Sequence, residues 1–196
     1  MSRLRVGVLV SGRGTNLQAL IQAAKDPLYP ARVVLVCANR ECPALEIARK
    51  AGVSRQLFRL VDFPDREARD LAMARLFRQH GAELIVCAGY DAILDPAFIR
   101  RFAGRIINLH PSLLPEFAGT MDAIEMALQA GVTQTGCTVH VVTKDVDEGP
   151  ILGQRRVEVR PEDTIETLRQ RIQAEEHVLL PEVVRRLAGQ PLPIPG

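Results

Sequence analysis

The sequence predicts an α/β fold, a doubly wound and mostly parallel sheet with helices on both faces and an antiparallel strand near the C-terminal part. Two observations predict it. Short apolar runs rich in Val and Ile alternate with segments of helical periodicity from Arg5 through Ile107, the pattern of successive βαβ units with right-handed crossovers. Beyond Pro115 the texture changes, and two strand-like stretches flank a loop containing Gly and Pro, as in a hairpin-like addition at one sheet edge.

Arg5 to Val10 (RVGVLV) is a Val-rich run stopped by Ser11-Gly12, which suits a central parallel strand. Gly12 and Gly14 form a turn into a helix capped at Thr15 or Asn16, with Leu17, Leu20 and Ile21 at helical spacing. A second strand is expected over Arg32 to Ala38, a helix over Ala44 to Ala51 closed by Gly52, and a third strand over Gln56 to Leu60. Asp65 to His80 reads as a helix burying Ala68, Leu71, Ala72, Leu76 and Phe77, ended by Gly81. Leu84 to Ala88 is the next buried strand, and GYDAILDPAF leads into a further helix. Ile106 and Ile107 open a strand that Pro111 must stop, since proline cannot donate to a ladder. Asp122 to Ala130 is read as a helix, Gly136 to Val142 as a strand followed by a loop and one more strand, and Thr164 to Leu187 as a long amphipathic helix interrupted near Pro181. The closing GQPLPIPG reads as an irregular tail.

A length of 196 residues is expected to make one domain, 1–196, with no linker, repeat or low-complexity segment. The net charge of +2, from 25 basic and 23 acidic residues, implies no polyanion-binding surface, so no nucleic-acid partner is expected. The apolar run in MSRLRVGVLVSG is too short for a signal peptide, and no run approaches the roughly 20 residues that span a bilayer. A cytoplasmic protein without membrane contact is expected, as monomer or homodimer. Cys37, Cys42, Cys87 and Cys137 have no CxxC spacing and read as buried, reduced thiols. Cys137 and His140, three apart on a strand, face opposite ways and are too few to bind zinc, so no metal is expected.

Chemistry concentrates in three stretches. Asn108 and His110 lie two apart at a strand end, so their side chains face one space, where open α/β sheets bind ligands. A carboxamide that donates without charge, beside an imidazole that exchanges protons near neutrality, suits a reaction passing through an oxyanion; the plainer alternative is a polar turn. In SGRGTNLQ the backbone N–H groups and the following helix terminus suit an anion. Leu17 stands where a dinucleotide motif has its third glycine, so a monophosphate ester fits better than a dinucleotide, unless the glycines serve only a tight turn. Asp147 sits in DVDEGP, where Glu148-Gly149-Pro150 should hold it on a loop.

Taken together, SGRGTNLQ, INLHPSLLP, GCTVH, DVDEGPIL and QAEEHVLLPEV resemble the family of phosphoribosylglycinamide formyltransferases, folate-dependent enzymes of purine synthesis, over nearly the whole chain. The resemblance implies the formyltransferase fold and direct transfer of the formyl group of 10-formyltetrahydrofolate, a co-substrate, to the amine of glycinamide ribonucleotide. It implies catalytic roles for Asn108, His110 and Asp147, and phosphate binding by Gly14, Thr15 and Asn16. Asn108 serves the oxyanion, His110 the proton transfer, and Asp147 orients the ring and arranges water. Thr138 is expected to hold such a water, its alternative being a β-branched sheet residue. Glu176 matches the residue that binds ribose hydroxyls, and Arg66 one near the folate glutamate tail; each can also be an ordinary helix-surface charge. Backbone groups around Asp91, Ala92, Ile93 and Leu94 are expected to hold the pterin.

Two departures from the family pattern stand out. Tyr90-Asp91-Ala92 replaces an aromatic followed by Met and a basic residue, and the stretch around Thr120-Met121-Asp122 lacks the usual histidines and base. The sequence admits two further readings: a stand-alone formyltetrahydrofolate deformylase, which would need no phosphate turn, and a non-catalytic phosphosugar-binding protein, which leaves Asp147 without a role.

Overall fold

The computed structural model describes residues 3–189, so the expected tail lies, beyond Gly189, outside the described residues. The chain runs β1 (Leu4–Val10), α1 (Thr15–Ala23), β2 (Ala31–Ala38), α2 (Pro43–Lys50), β3 (Ser54–Leu57), α3 (Arg66–Gln79), β4 (Leu84–Cys87), α4 (Pro96–Arg101), β5 (Ile106–His110), α5 (Ala123–Gln129), β6 (Gln134–Val141), β7 (Ile151–Glu158) and α6 (Ile165–Ala188). One seven-stranded sheet has the order β3-β2-β1-β4-β5-β6-β7. The first five strands pair in parallel, and β6 and β7 add antiparallel. This is the doubly wound sheet with an antiparallel edge that the alternation predicted.

Both faces are covered, as the unbroken apolar character of the parallel strands requires. Val6, Val8 and Val10 of β1 point to one side and pack with Leu17 and Leu20 of α1 and with Leu180, Val183 and Val184 of α6. Leu9 of β1 and Ile85 of β4 point to the other, against Met73 and Phe77 of α3 and Phe98 and Phe102 near α4.

Three expectations are corrected by packing. β3 begins and ends earlier than Gln56 to Leu60, because β2 stops at Ala38, whose carbonyl takes the Phe58 N–H, and no ladder remains beyond it. The buried stripe of α3 is Arg69, Asp70, Met73, Ala74 and Phe77, while Ala68, Leu71, Ala72 and Leu76 are half-buried. Two charged residues displace the alanines and leucines because Asp70 pairs with Arg69 at 2.7 Å and accepts the Asp95 N–H at 2.7 Å. Helix α6 runs unbroken through Pro181. Proline costs a helix interior about 3 kcal/mol. Burial of Leu179, Leu180, Val183, Val184 and Leu187, at about 1.5–3 kcal/mol each, outweighs that. The Tyr29 hydroxyl also donates to the Pro181 carbonyl at 2.8 Å.

Leu180→Ala, at a fully buried position, is expected to cost about 2–5 kcal/mol in urea unfolding. Leu28→Ala, at a residue 88% exposed, should stay within about 0.5 kcal/mol.

Candidate active site

The strand order turns between β1 and β4, and the carboxyl ends of the strands there form the crevice in which such sheets bind ligands. A cavity of about 630 Å³ occupies it. Its walls come from the turn after β1, the loop after β4, the end of β5, the β6–β7 loop and one face of α6.

At one end stand Gly14, Thr15 and Asn16. Gly14 has φ 78°, and a Cβ there would lie 2.6 Å from Ala44 Cβ, so the turn approaches α2 as closely as only glycine permits. The first N–H groups of α1 have no helical acceptors and point outward with the positive end of the helix dipole. Asn16 Nδ2 donates to Glu176 Oε2 at 2.8 Å, joining the turn to α6. Both side chains are buried, and Asn16 Oδ1 has no partner. Burial raises the Glu176 carboxyl above its usual range, against the Asn16 hydrogen bond and the Arg169 charge.

At the centre Asn108 and His110 share the cavity face of β5, as their spacing predicted. His110 is 5% exposed. Its Nε2 lies 3.0 Å from the Phe117 carbonyl and its Nδ1 3.4 Å from Asp147 Oδ2. A ring donating from Nε2 can bond the carboxylate only after taking a proton at Nδ1, so Asp147 is placed to stabilise the imidazolium as it forms. At rest, burial holds the His110 pKa below its ordinary value, with Asp147 and the Phe117 carbonyl opposing.

Asp147 collects the site. Oδ2 accepts the Gly119 N–H at 2.9 Å, while Oδ1 lies 3.3 Å from His140 Nε2 and accepts from Asn108 Nδ2 at 3.4 Å. Burial raises its proton affinity, but the hydrogen bonds from His140 and Gly119 and the two imidazoles prevail, and the carboxyl titrates below its usual range. His140 joins this set although its sequence spacing, weighed only for zinc, does not place it there. It lies opposite Asn108 in the β5–β6 register, with Nε2 3.2 Å from Asn108 Nδ2 and Nδ1 3.0 Å from the Val141 carbonyl. The signal that finds it is that register, which no spacing in the sequence supplies.

Ala92, Ile93 and Leu94 line the far end, and Met121 and Val146 complete an exposed apolar rim with Ile93. The Asp91 side chain turns away toward Asn39 and Arg40 of the β2–α2 loop. Two expected residues are not brought to the cavity. Arg66 opens α3 outside the lining, half-exposed, its Nε 3.7 Å from Asp95 Oδ2. Thr138 is fully buried under residues 112–114: its hydroxyl donates to the Ser112 carbonyl at 2.7 Å and accepts from Leu114 N at 3.1 Å and Gln154 Nε2 at 2.9 Å. That leaves it no capacity for a catalytic water, and the geometry makes it a pin for the loop after β5.

The four cysteines are free, Cys42 half-buried and the other three buried. Burial pushes the Cys87 and Cys137 thiols up to about 12, so neither is a nucleophile near neutrality. The described residues include no group of three or more His, Cys, Asp or Glu side chains that could hold a metal ion.

A mostly parallel sheet with an antiparallel edge, carrying an amide, an imidazole and a carboxylate in the crevice above a glycine turn, defines the class as an α/β protein with a polar ligand-binding site at the switch point of its sheet. The chain belongs to the formyl transferase family, whose pattern matches residues 4–184. It is 45% identical over 192 residues to a phosphoribosylglycinamide formyltransferase of Mycobacterium tuberculosis, covering 98% of this chain and 88% of that protein. A trifunctional purine biosynthetic protein adenosine-3 of Bos taurus is 41% identical over 188 residues, but this chain spans 18% of its length, and 14% of its Drosophila pseudoobscura counterpart. Among solved structures, glycinamide ribonucleotide transformylase 1 from Symbiobacterium toebii superposes with a TM-score of 0.95 at 44% identity, covering 99% of this chain and 92% of that one.

Titrated by NMR, His110 should show a pKa below about 6.5, and Asp147→Asn should lower it further, because the carboxylate that favours the imidazolium is gone. Thr138→Val strands the Leu114 N–H and Gln154 amide and should cost about 1–3 kcal/mol of stability, read from the midpoint of thermal unfolding.

Proposed function

We propose that this chain transfers the formyl group of 10-formyltetrahydrofolate to the amino group of glycinamide ribonucleotide, with Asn108, His110 and Asp147 as its catalytic residues. The observation that carries the reading is one cavity that holds the glycine turn and the start of α1 at one end, an apolar loop at the other, and the amide–imidazole–carboxylate set between them. The two ends are chemically distinct and suit different substrates. Gly14, Thr15 and Asn16 receive the phosphate through backbone N–H groups, and Glu176 accepts from the ribose hydroxyls. Ala92, Ile93 and Leu94 flank the flat pterin and present backbone groups to its polar edge, with Met121 and Val146 nearby. A cavity of about 630 Å³ is within the range that encloses ligands of this size.

The amine attacks the formyl carbon from the phosphate side. A carbon–nitrogen bond forms, the carbonyl π pair moves to oxygen, and the Asn108 amide donates to that oxygen. His110 takes the proton released by the attacking nitrogen at Nδ1, beside Asp147, and returns it to the leaving folate nitrogen as the old carbon–nitrogen bond breaks. Asp147 holds one N–H of the Asn108 amide, and the other, 3.2 Å from His140 Nε2, is left to turn onto the developing oxyanion, so the donor is pre-oriented before substrate arrives. A deformylase would use water as acceptor at the same residues but has no use for the Gly14 turn. The protein is proposed to act in the cytoplasm, as monomer or homodimer, without nucleic-acid partners; among the described residues no helix is long and apolar enough to cross a membrane.

Purified protein should form tetrahydrofolate from 10-formyltetrahydrofolate only when glycinamide ribonucleotide is present. Asn108→Ala should lower kcat about 10²–10³-fold, with a comparable loss in His110→Ala. Folate consumption independent of the acceptor would reassign the chain to hydrolysis.

A further inference from the structure

The loop after β4, from Tyr90 to Asp95, is anchored at both ends, and the two anchors differ. At its far end the Asp95 N–H donates to the buried Asp70 carboxylate at 2.7 Å, and the Asp95 side chain caps α4 by accepting from Ala97 N at 2.8 Å. This end is a buried structural pin. At its near end the loop is tied to the other substrate's turn. Ser11, the residue between β1 and the glycines, donates its N–H to the Gly89 carbonyl at 3.0 Å and accepts the Asp91 N–H on its hydroxyl at 3.0 Å. Arg40 then bridges both: its Nε donates to the Ser11 carbonyl at 3.0 Å, and its guanidinium forms an ion pair with the Asp91 carboxylate. Asn39 Nδ2 adds a hydrogen bond to Asp91 Oδ1 at 2.9 Å. The Gly12 carbonyl, one residue on, accepts the Ala44 N–H at 3.2 Å, so the turn is fixed to the start of α2 as well.

We infer that Arg40 and Asp91 are positioning residues that lock the loop lining the formyl-donor end of the cavity to the phosphate-binding turn, so that ordering either one orders the other. The inference rests on the formyl-transfer reading for which substrate each end takes, but not for the lock itself. Three features support it. Arg40 reaches one group on each loop with two different nitrogens, a span that the planar guanidinium fork holds in a fixed geometry. The Asp91 backbone N–H and side chain are both used, so the loop's first turn has little freedom while the lock is closed. The lock is also partly exposed, with the Arg40 side chain 55% and the Asp91 side chain 28% accessible, unlike the Arg69–Asp70 pair beneath the other end at 4% and 0%. A pair this accessible is weak enough to open and close, whereas the buried pair is not. Sites joined through such an element share its ordering cost, so the first ligand to bind eases the second.

The test is hydrogen exchange by mass spectrometry on the full chain, together with steady-state kinetics, on Arg40→Met and Arg40→Lys. Arg40→Met should speed exchange about tenfold in residues 11–16 and in residues 89–95 together, leave β1 unchanged, and raise KM for both substrates about fivefold with kcat within about twofold. Arg40→Lys keeps the charge but not the fork, and should fall between it and the wild type. If Arg40→Met leaves residues 11–16 exchanging as in the wild type, or speeds β1 equally, the lock is refuted whether or not the protein turns over. A wild-type protein without acceptor-dependent turnover whose two segments still respond together in Arg40→Met would instead refute the formyl-transfer reading and leave the lock standing.

Discussion

The geometry of the site depends on one carboxylate. Asp147 lies within 3.4 Å of the His110 ring and accepts from the Asn108 amide at 3.4 Å, while His140 at 3.3 Å and the Gly119 N–H at 2.9 Å hold it from the other sides. An anion so surrounded by donors stays ionised although it is largely buried, and a fixed negative charge orders the rotors around it. Without it, the His110 ring would have one hydrogen-bonding partner instead of two, and the Asn108 amide would have lost the anion that orients it toward the cavity.

Holding that carboxylate imposes a backbone constraint. Asp147 has φ 57° and Phe117 has φ 56°, and these are the non-glycine residues with positive φ among those described. Both touch His110, Asp147 through its carboxylate and Phe117 through its carbonyl. A left-handed conformation costs an ordinary residue about 1–2 kcal/mol, so it persists only where the surroundings enforce it. The surroundings here are the Thr138 hydroxyl, which fastens the loop after β5 to β6, and the Gly149 turn, where a Cβ would meet the Val141 carbonyl. Strain thus concentrates on the two residues that fix the imidazole between an acceptor and an anion.

The sheet explains why these parts meet. Ends of parallel strands gather on one side, and the reversal of strand order between β1 and β4 opens a crevice there. The antiparallel β6 then carries His140 back alongside Asn108, and the β6–β7 loop delivers Asp147 over the end of β5. Helix α6 closes the phosphate end by bringing Glu176 to Asn16, residues 160 positions apart in the chain. The Asp91 side chain ties the loop after β4 to Asn39 and Arg40 of the β2–α2 loop.

Local patterns were legible in the sequence wherever the physics is local. The alternation of apolar runs and helical periodicity determined the doubly wound sheet, the Asn108-x-His110 spacing determined that both side chains share a face, and the Gly12 and Gly14 pair determined the tight turn from β1 into α1. What the sequence could not decide were the quantities set by partners far along the chain. The buried face of α3 was misread because a paired Arg69 and Asp70 can be buried where an unpaired charge cannot. The break at Pro181 was misread because packing over a whole helix outweighs one lost hydrogen bond. His140 went unrecognised because its place opposite Asn108 exists only once β5 and β6 are in register. Thr138 and Arg66 were assigned by position, while burial and partners give them other contacts. Residue type and spacing thus determined where the polar side chains sit along the strands and turns. Tertiary structure alone decided which groups reach the cavity, because burial and hydrogen-bond pairing belong to contacts between segments rather than to any segment by itself.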